Sequence, residues 1–241
     1  MRYAGMSSVG KVRGNNEDFF HVPRDEHDVP LFVVADGMGG MNAGEIASAL
    51  AVADVVTCVR RQNRRVTDKP LLLRKAVTQA NTTVFKTARS DIHYVNMGTT
   101  LVCALLDGDR IHIANVGDSR CYLLSGPSFE QVSVDHSYVQ EMLSQGLITP
   151  EEAKHHPNRN LITRAVGSER FVTADVFTRP FLPGDRLLLA SDGLTGMIEP
   201  ELLRQVLAEE NDCEQAVRRL ITLANDAGGR DNITAVVIYQ A

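Results

Sequence analysis

The chain has 241 residues, 44% of them hydrophobic, with a formal net charge of −5. That length supports one large domain with a substantial core, and the mixed, mildly acidic surface excludes the basic face of a nucleic-acid binder. The opening MRYAGMSSVGKVRG lacks the apolar core of a signal peptide, and no apolar run approaches the ~20 residues of a membrane span. Cys58, Cys103, Cys121 and Cys213 form no CxxC pair, so the chain reads as cytoplasmic, with free thiols in a reducing compartment.

Residues 2–7 and 18–22 read as short strands around the polar segment 11–17. Residues 31–35 form an apolar run typical of a buried strand. Asp36 ends it, followed by glycines at 37, 39, 40 and 44. Ile46, Ala49, Leu50, Ala53 and Val56 recur at helical spacing and predict a helix over about 43–60. The basic cluster at 60–65 complements that helix's C-terminus, and Pro70 opens a second helix to about residue 89.

From Gly98 the pattern turns to strands. Residues 101–106, 110–115 and 120–124 make a meander, with Asp107-Gly108 as its first tight turn. Two short helices follow, at 137–145 and 150–155, the second capped by Thr149 with Glu152 three residues on. With His155, His156, Arg159 and Arg164, this insertion is more polar than its surroundings. Strands at 186–190 and 235–238 flank a helix marked by Ala216, Val217, Leu220, Ile221 and Ala224, which Gly228-Gly229 ends. Helices in pairs and strands in hairpins predict two packed antiparallel sheets with helices outside, in a single domain without repeats.

Four strand boundaries carry an aspartate: Asp36-Gly37, Gly117-Asp118, Asp192-Gly193 and Asp231-Asn232. Asp107-Gly108 needs only a hairpin explanation, whereas Asp36 and Asp192 lead from buried strands into helices or loops. Converging strand ends would gather these carboxylates at one mouth, where they repel unless cations neutralise them. Oxygen-only ligands favour Mg²⁺ or Mn²⁺ over zinc. Two such ions suit in-line attack on phosphorus, and Arg13 is the candidate guanidinium for the phosphate.

The motifs RGNNED at 13–18, VVADGMGG at 33–40, AGEIAS at 43–48, MGTT at 97–100, NVGDSR at 115–120, DHS at 135–137, LITPEEAKHHPNRNLITRAVG at 147–167, ASDGLTGMI at 190–198 and GGRDNIT at 228–234 run in one order along the chain. Together the chain resembles the metal-dependent type 2C Ser/Thr protein phosphatases in their short bacterial form. The resemblance implies an α+β fold, a four-layer α-β-β-α sandwich of two antiparallel sheets flanked by helices, with a flap at about 140–165. It implies hydrolysis of phosphoserine and phosphothreonine in proteins by a water activated between two tightly bound Mn²⁺ or Mg²⁺ ions. Asp36 would bridge the ions, with the Gly37 carbonyl on one of them. Asp192 and Asp231 would complete the first shell, and Glu17 and Asp18 would hold ion-bound waters. Asp118, with Asp192, would hold a third, weaker ion, and Arg13 the substrate phosphate. The implied partners are Ser/Thr-phosphorylated proteins, a Ser/Thr kinase among them, with no nucleic acid, no membrane insertion and a monomeric chain.

One departure stands out. Relatives often carry a histidine directly after the Asp-Gly or after the later Gly-Gly pair, where this chain has Met38 and Met41. The proton for the leaving group would then come from an ion-bound water or a more distant side chain such as His136. A silent phosphoprotein-binding module of the same fold is the alternative, opposed by the intact acids at 36, 118, 192 and 231. A nucleotide-binding reading of the glycine stretch fails for want of the P-loop Gly-Lys-Ser/Thr.

Overall fold

The computed structural model describes residues 1–39 and 43–240; Met41 lies outside them. Strands β1 (Arg2–Ser8), β2 (Asp18–His21) and β3 (Leu31–Met38) precede the helices α1 (Ala43–Gln62) and α2 (Lys69–Thr87). Then come β4 (Gly98–Thr99), β5 (Leu101–Asp107), β6 (Arg110–Val116), β7 (Arg120–Ser125) and β8 (Ser128–Gln131). The flap helices α3 (Tyr138–Ser144) and α4 (Pro150–His155) lead to β9 (Asp175–Pro180), β10 (Arg186–Ala190) and the short α5 (Asp192–Thr195). Helices α6 (Pro200–Glu209) and α7 (Cys213–Asp226) and strand β11 (Ile233–Tyr239) complete the order.

One sheet runs β1-β11-β10-β7-β8 and the other β2-β3-β5-β6-β9, with β4 added against β3; every strand pairing between them is antiparallel. Alternation along β3 shows how the layers close. Leu31, Val33 and Ala35 pack under α1 and α2, while Phe32 and Val34 point between the sheets. On the far side, α5, α6 and α7 cover Leu188, Ala190, Ala235 and Val237. The expected α-β-β-α sandwich is therefore present. Covering both faces of each central strand is why the sequence showed unbroken apolar runs.

The four-residue α5, strands β8 and β9 and helix α6 escaped the sequence reading. Strands β8 and β9 lie at sheet edges and are half-buried or exposed, so neither carries a continuous apolar signal. Helix α6 buries only Leu203, Val206 and Leu207, a one-face stripe that its spacing could have disclosed. The flap helices are capped as expected: Thr149 and Glu152 form a reciprocal capping box. Among the described residues no helix is long and apolar enough to cross a membrane.

What the sandwich does for the site is bring strand ends together. The ends of β3 and β10, the β6–β7 turn and the starts of β2 and β11 all open at one edge. The approach is close: a Cβ built on Gly193 would lie 1.9 Å from the Asn232 carbonyl oxygen, which no side chain can tolerate. Gly193→Ala must push the Asp192 turn away from the start of β11. The expected cost is about 1–3 kcal/mol, measured as a lower urea midpoint in chelator-treated protein. An unchanged midpoint would mean that the two turns are free to separate.

Candidate metal centre

Register places the first pair of acids. In the β2–β3 ladder Asp18 stands directly opposite Asp36, and residues opposed across an antiparallel pair share a face. Asp36 follows the parity of Phe32 and Val34, so both carboxylates sit at the open end of the space between the sheets. Asp36 is fixed through its backbone: its N–H donates to Thr100 Oγ1 (3.0 Å), while its carbonyl accepts from the Thr100 amide (2.8 Å) and the Thr99 hydroxyl (2.8 Å). Thr100 Oγ1 also lies 2.7 Å from Ser119 Oγ, which ties the same strand start to the turn carrying Asp118.

The opposite sheet supplies Asp192 and Asp231. Ser191 Oγ donates to Asp18 Oδ2 (2.7 Å) and accepts from the Thr234 amide (3.0 Å), locking β10, β11 and β2 together beneath Asp192. The Asn232 side chain accepts from the Glu17 amide (2.8 Å) and donates to the Val9 (3.0 Å) and Asn15 (2.8 Å) carbonyls. That clamp shapes the 9–17 loop and delivers Arg13, whose Nη2 lies 2.8 Å from Asp231 Oδ2. Both side chains of this pair remain open to solvent, 52% and 37% exposed. The hydrogen bond to Asp231 raises the Arg13 pKa further.

The carboxylates perturb one another. Burial pushes Asp18 up to about 7, with the charges of Asp192 and Asp231 adding and hydrogen bonds from Thr234 and Ser191 opposing. Burial likewise raises Asp36 well above the carboxylate range, helped by Asp18 and Asp192. Asp192 is raised by burial, with a hydrogen bond from Asp36 pulling the other way. Burial, then Asp192 and Asp135, lifts Asp118 to about 7 against the pull of Arg120. Arg120 is itself clamped by Asp135, with its Nη2 2.7 Å from Oδ2.

Two oxygens, Asp18 Oδ1 and Asp192 Oδ1, are buried and accept no hydrogen bond from any protein group. Buried oxygen acceptors of that kind, set among repelling carboxylates, fit hard divalent cations. Among the described residues no three such side chains converge into a cage for one ion. Asp18, Asp36, Asp118, Asp192 and Asp231 are thus brought together. Glu17 stands apart. Its carboxylate reaches over Gly44 at the start of α1, where the helix dipole favours an anion, and its carbonyl accepts from the Gly37 amide (3.1 Å) and the Ser48 hydroxyl (2.6 Å). Met38 is half-buried at the end of β3 against Gly98.

The supporting Thr100, Ser191 and Asn232 were not singled out from the sequence. Each adjoins or lies within a motif, at MGTT, ASDG and GGRDN, but their role depends on contacts between strands far apart in the chain. Beside the acids a cavity of about 550 Å³ opens beneath the flap, lined among others by Asp118, Asp192, Arg120, Lys154, His155 and Arg159. The polar flap therefore faces the acids.

Electrostatics give a signed expectation for chelator-treated protein. Asp18 has a folded pKa above its unfolded value of 3.8, so the folded chain holds a proton that the unfolded chain releases, and stability falls as pH rises from about 4 to 7. Asp18→Asn removes that penalty. The variant is expected to be more stable than wild type at pH 8, by up to about 4 kcal/mol, with the gain vanishing near pH 4. Denaturant titrations at both pH values measure it; an equal gain at each would assign the effect to packing instead of charge.

A family model described as protein phosphatase 2C matches residues 11–237. The serine/threonine phosphatase stp of Listeria monocytogenes is 38% identical over 233 residues, covering 96% of this chain and 92% of that protein. The crystal structure of the Mycobacterium tuberculosis serine/threonine phosphatase PstP/Ppp superposes with a TM-score of 0.90 at 36% identity, covering 100% of this chain and 99% of that one. The catalytic domain of PstP in complex with two manganese ions gives 0.87 at 36% identity, with 98% and 96% covered. A sandwich of this topology, with its acids gathered at one mouth and a family match over nearly its whole length, belongs to the protein phosphatase 2C family.

Proposed function

We propose that this chain is a single catalytic domain, residues 1–241 with a flap at about 140–165, that hydrolyses phosphoserine and phosphothreonine in proteins with Mn²⁺ or Mg²⁺. The observation that carries the reading is the set of aspartates from both sheets, mutually repelling and with two orphaned buried oxygens. A module that only bound phosphoproteins would bear the cost of that repulsion for nothing. Two divalent ions in such a site supply an activated water and charge neutralisation at the phosphoryl group.

The chain's own residues then divide the task. Asp36, held through its backbone by Thr99 and Thr100, would bind both ions. Asp192 and Asp231 approach from the other sheet, the Gly37 carbonyl lies at the end of β3, and Glu17 and Asp18 are suited to holding waters. Asp118, on a separate turn, would hold a third and weaker ion together with Asp192. Arg13 is half exposed, so its remaining N–H groups can take phosphate oxygens while Asp231 orients it. The Met38 side chain has no proton to give. His136 has both ring nitrogens engaged, so the leaving seryl oxygen takes its proton from solvent at the site. The reading extends to a cytoplasmic monomer acting on Ser/Thr-phosphorylated proteins, kinases included.

The direct test is phosphate release from a phosphothreonine peptide with Mn²⁺, with and without chelator. Asp192→Ala is expected to lose at least about 10²-fold in turnover while remaining folded; near-wild-type rates at saturating Mn²⁺ would refute the metallophosphatase reading. Asp118→Ala should slow turnover while calorimetry still detects two tight ions. Loss of all ion binding in that variant would instead place Asp118 in the principal pair.

A further inference from the structure

His136 is the one histidine that the structure buries beside the acid-bearing turns. Its side chain is 7% exposed, and it uses every polar group it has. The backbone amide donates to the Gly117 carbonyl (3.0 Å), and the ring Nδ1 accepts from the Gly117 amide (3.0 Å). Because Nδ1 accepts, the ring proton is on Nε2, which faces Asp175 Oδ2 at 3.1 Å. Arg164 Nη1 lies 3.0 Å from the same nitrogen and donates to Asp175 Oδ1 (3.1 Å) and the Thr173 carbonyl (3.1 Å). Two donors, Nε2–H and the guanidinium, thus meet on one carboxylate. Asp175 sets the tautomer that leaves Nδ1 free to accept.

The same residue closes the base of the flap. Thr163 donates its amide to the His136 carbonyl (2.9 Å), and Tyr138 donates to the Leu161 carbonyl (2.8 Å), so the segments leading into and out of the flap are zipped together. Gly117 can neither shift nor be replaced. Its φ is +102°, and a Cβ there would lie 2.7 Å from the Thr100 side chain. Asn115 Nδ2 adds bonds to the Gly117 (3.2 Å) and Val134 (3.0 Å) carbonyls.

We propose that His136 is a positioning residue that fixes the Gly117–Asp118 turn to the base of the flap, so that the geometry of Asp118 depends on how the flap is anchored. This rests on the reading of Asp118 as a ligand for the weaker ion. In place of a distant proton donor, His136 is a bolt between the acid-bearing turn and the flap. Disturbing it should act through Asp118 and leave the principal pair of ions alone.

Side-chain substitutions separate the two ring nitrogens. Asn carries an oxygen where Nδ1 stands; Gln reaches toward the Nε2 position and leaves the Gly117 amide without an acceptor. His136→Asn is expected to retain turnover of a phosphothreonine peptide within about threefold of wild type. His136→Gln and His136→Ala should lose about 10–100-fold in kcat, the usual range for supports of metal ligands. Their KM should stay near wild type, and calorimetry with Mn²⁺ should show weakening of the loosest ion alone. Independently of activity, the Gly117 amide should exchange slowly by NMR in wild type and His136→Asn but rapidly in His136→Gln. Equal behaviour of the Asn and Gln variants in kcat and in exchange would overturn the proposal; should the Ala variant fail to fold, that pair still decides it. Asp118→Ala measured alongside keeps the two ideas apart. If it changes neither ion binding nor turnover, the reading of Asp118 fails, while Gly117 exchange still reports whether His136 holds the turn.

Discussion

Carboxylates taken out of water and pressed against one another dominate this structure. Burial, with the charges of neighbouring aspartates adding to it, raises Asp18 and Asp118 to about 7. A fold can hold such a cluster only if its backbone is fixed from elsewhere, because the side chains themselves push apart. Here the fixing comes from neutral groups. Thr99 and Thr100 hold the peptide of Asp36, Ser191 joins three strands beneath Asp192, and Asn232 pins the 9–17 loop. None of these adds a charge, so each strengthens the frame without altering what the acids can bind.

The sandwich architecture follows from the same constraint. Strands covered on both faces by helices and by the other sheet are rigid, and their ends are the nearest positions where polar chemistry can meet solvent. Phe32 and Val34 fill the space between the sheets, and Asp36, two residues on, is the first side chain of that row to reach the opening. The change from apolar to acidic along one strand thus marks where the core stops and the site begins.

That change is visible in the sequence, which is why the aspartates at 36, 118, 192 and 231 stood out against the hairpin at Asp107-Gly108. The family order of motifs made the two-sheet sandwich legible. Register was not legible. Nothing in residues 18 and 36 says that they face each other, and Asp18 entered the reading only through resemblance. Equally hidden were Ser191 and Asn232, whose partners are up to 223 positions away. Edge strands β8 and β9 were missed because half-exposed strands have no periodic apolar signature. Glu17 too entered only through resemblance; its carboxylate lies over Gly44 at the start of α1.

The flap differs from the sandwich in how it is held. Of its helices, α3 buries no residue and α4 only Ala153, and neither contributes to the packed layers beyond rim contacts. Its connection to the rest is concentrated at the base, where segments 136–138 and 161–164 pair with each other and with the Gly117 turn. Elements with few buried apolar contacts open at low free-energy cost, so the flap can move while its base stays bonded. The cavity between flap and sandwich has Asp118 and Asp192 on one side and Lys154, His155 and Arg159 on the other. A rigid acidic floor and a mobile basic roof suit a phosphoprotein segment, whose phosphate needs cations on the floor and whose flanking acidic groups can meet the roof. Rigidity is thereby confined to the strand ends where charge must be placed to a fraction of an ångström. Mobility is left to the one element that has to admit chains of differing sequence.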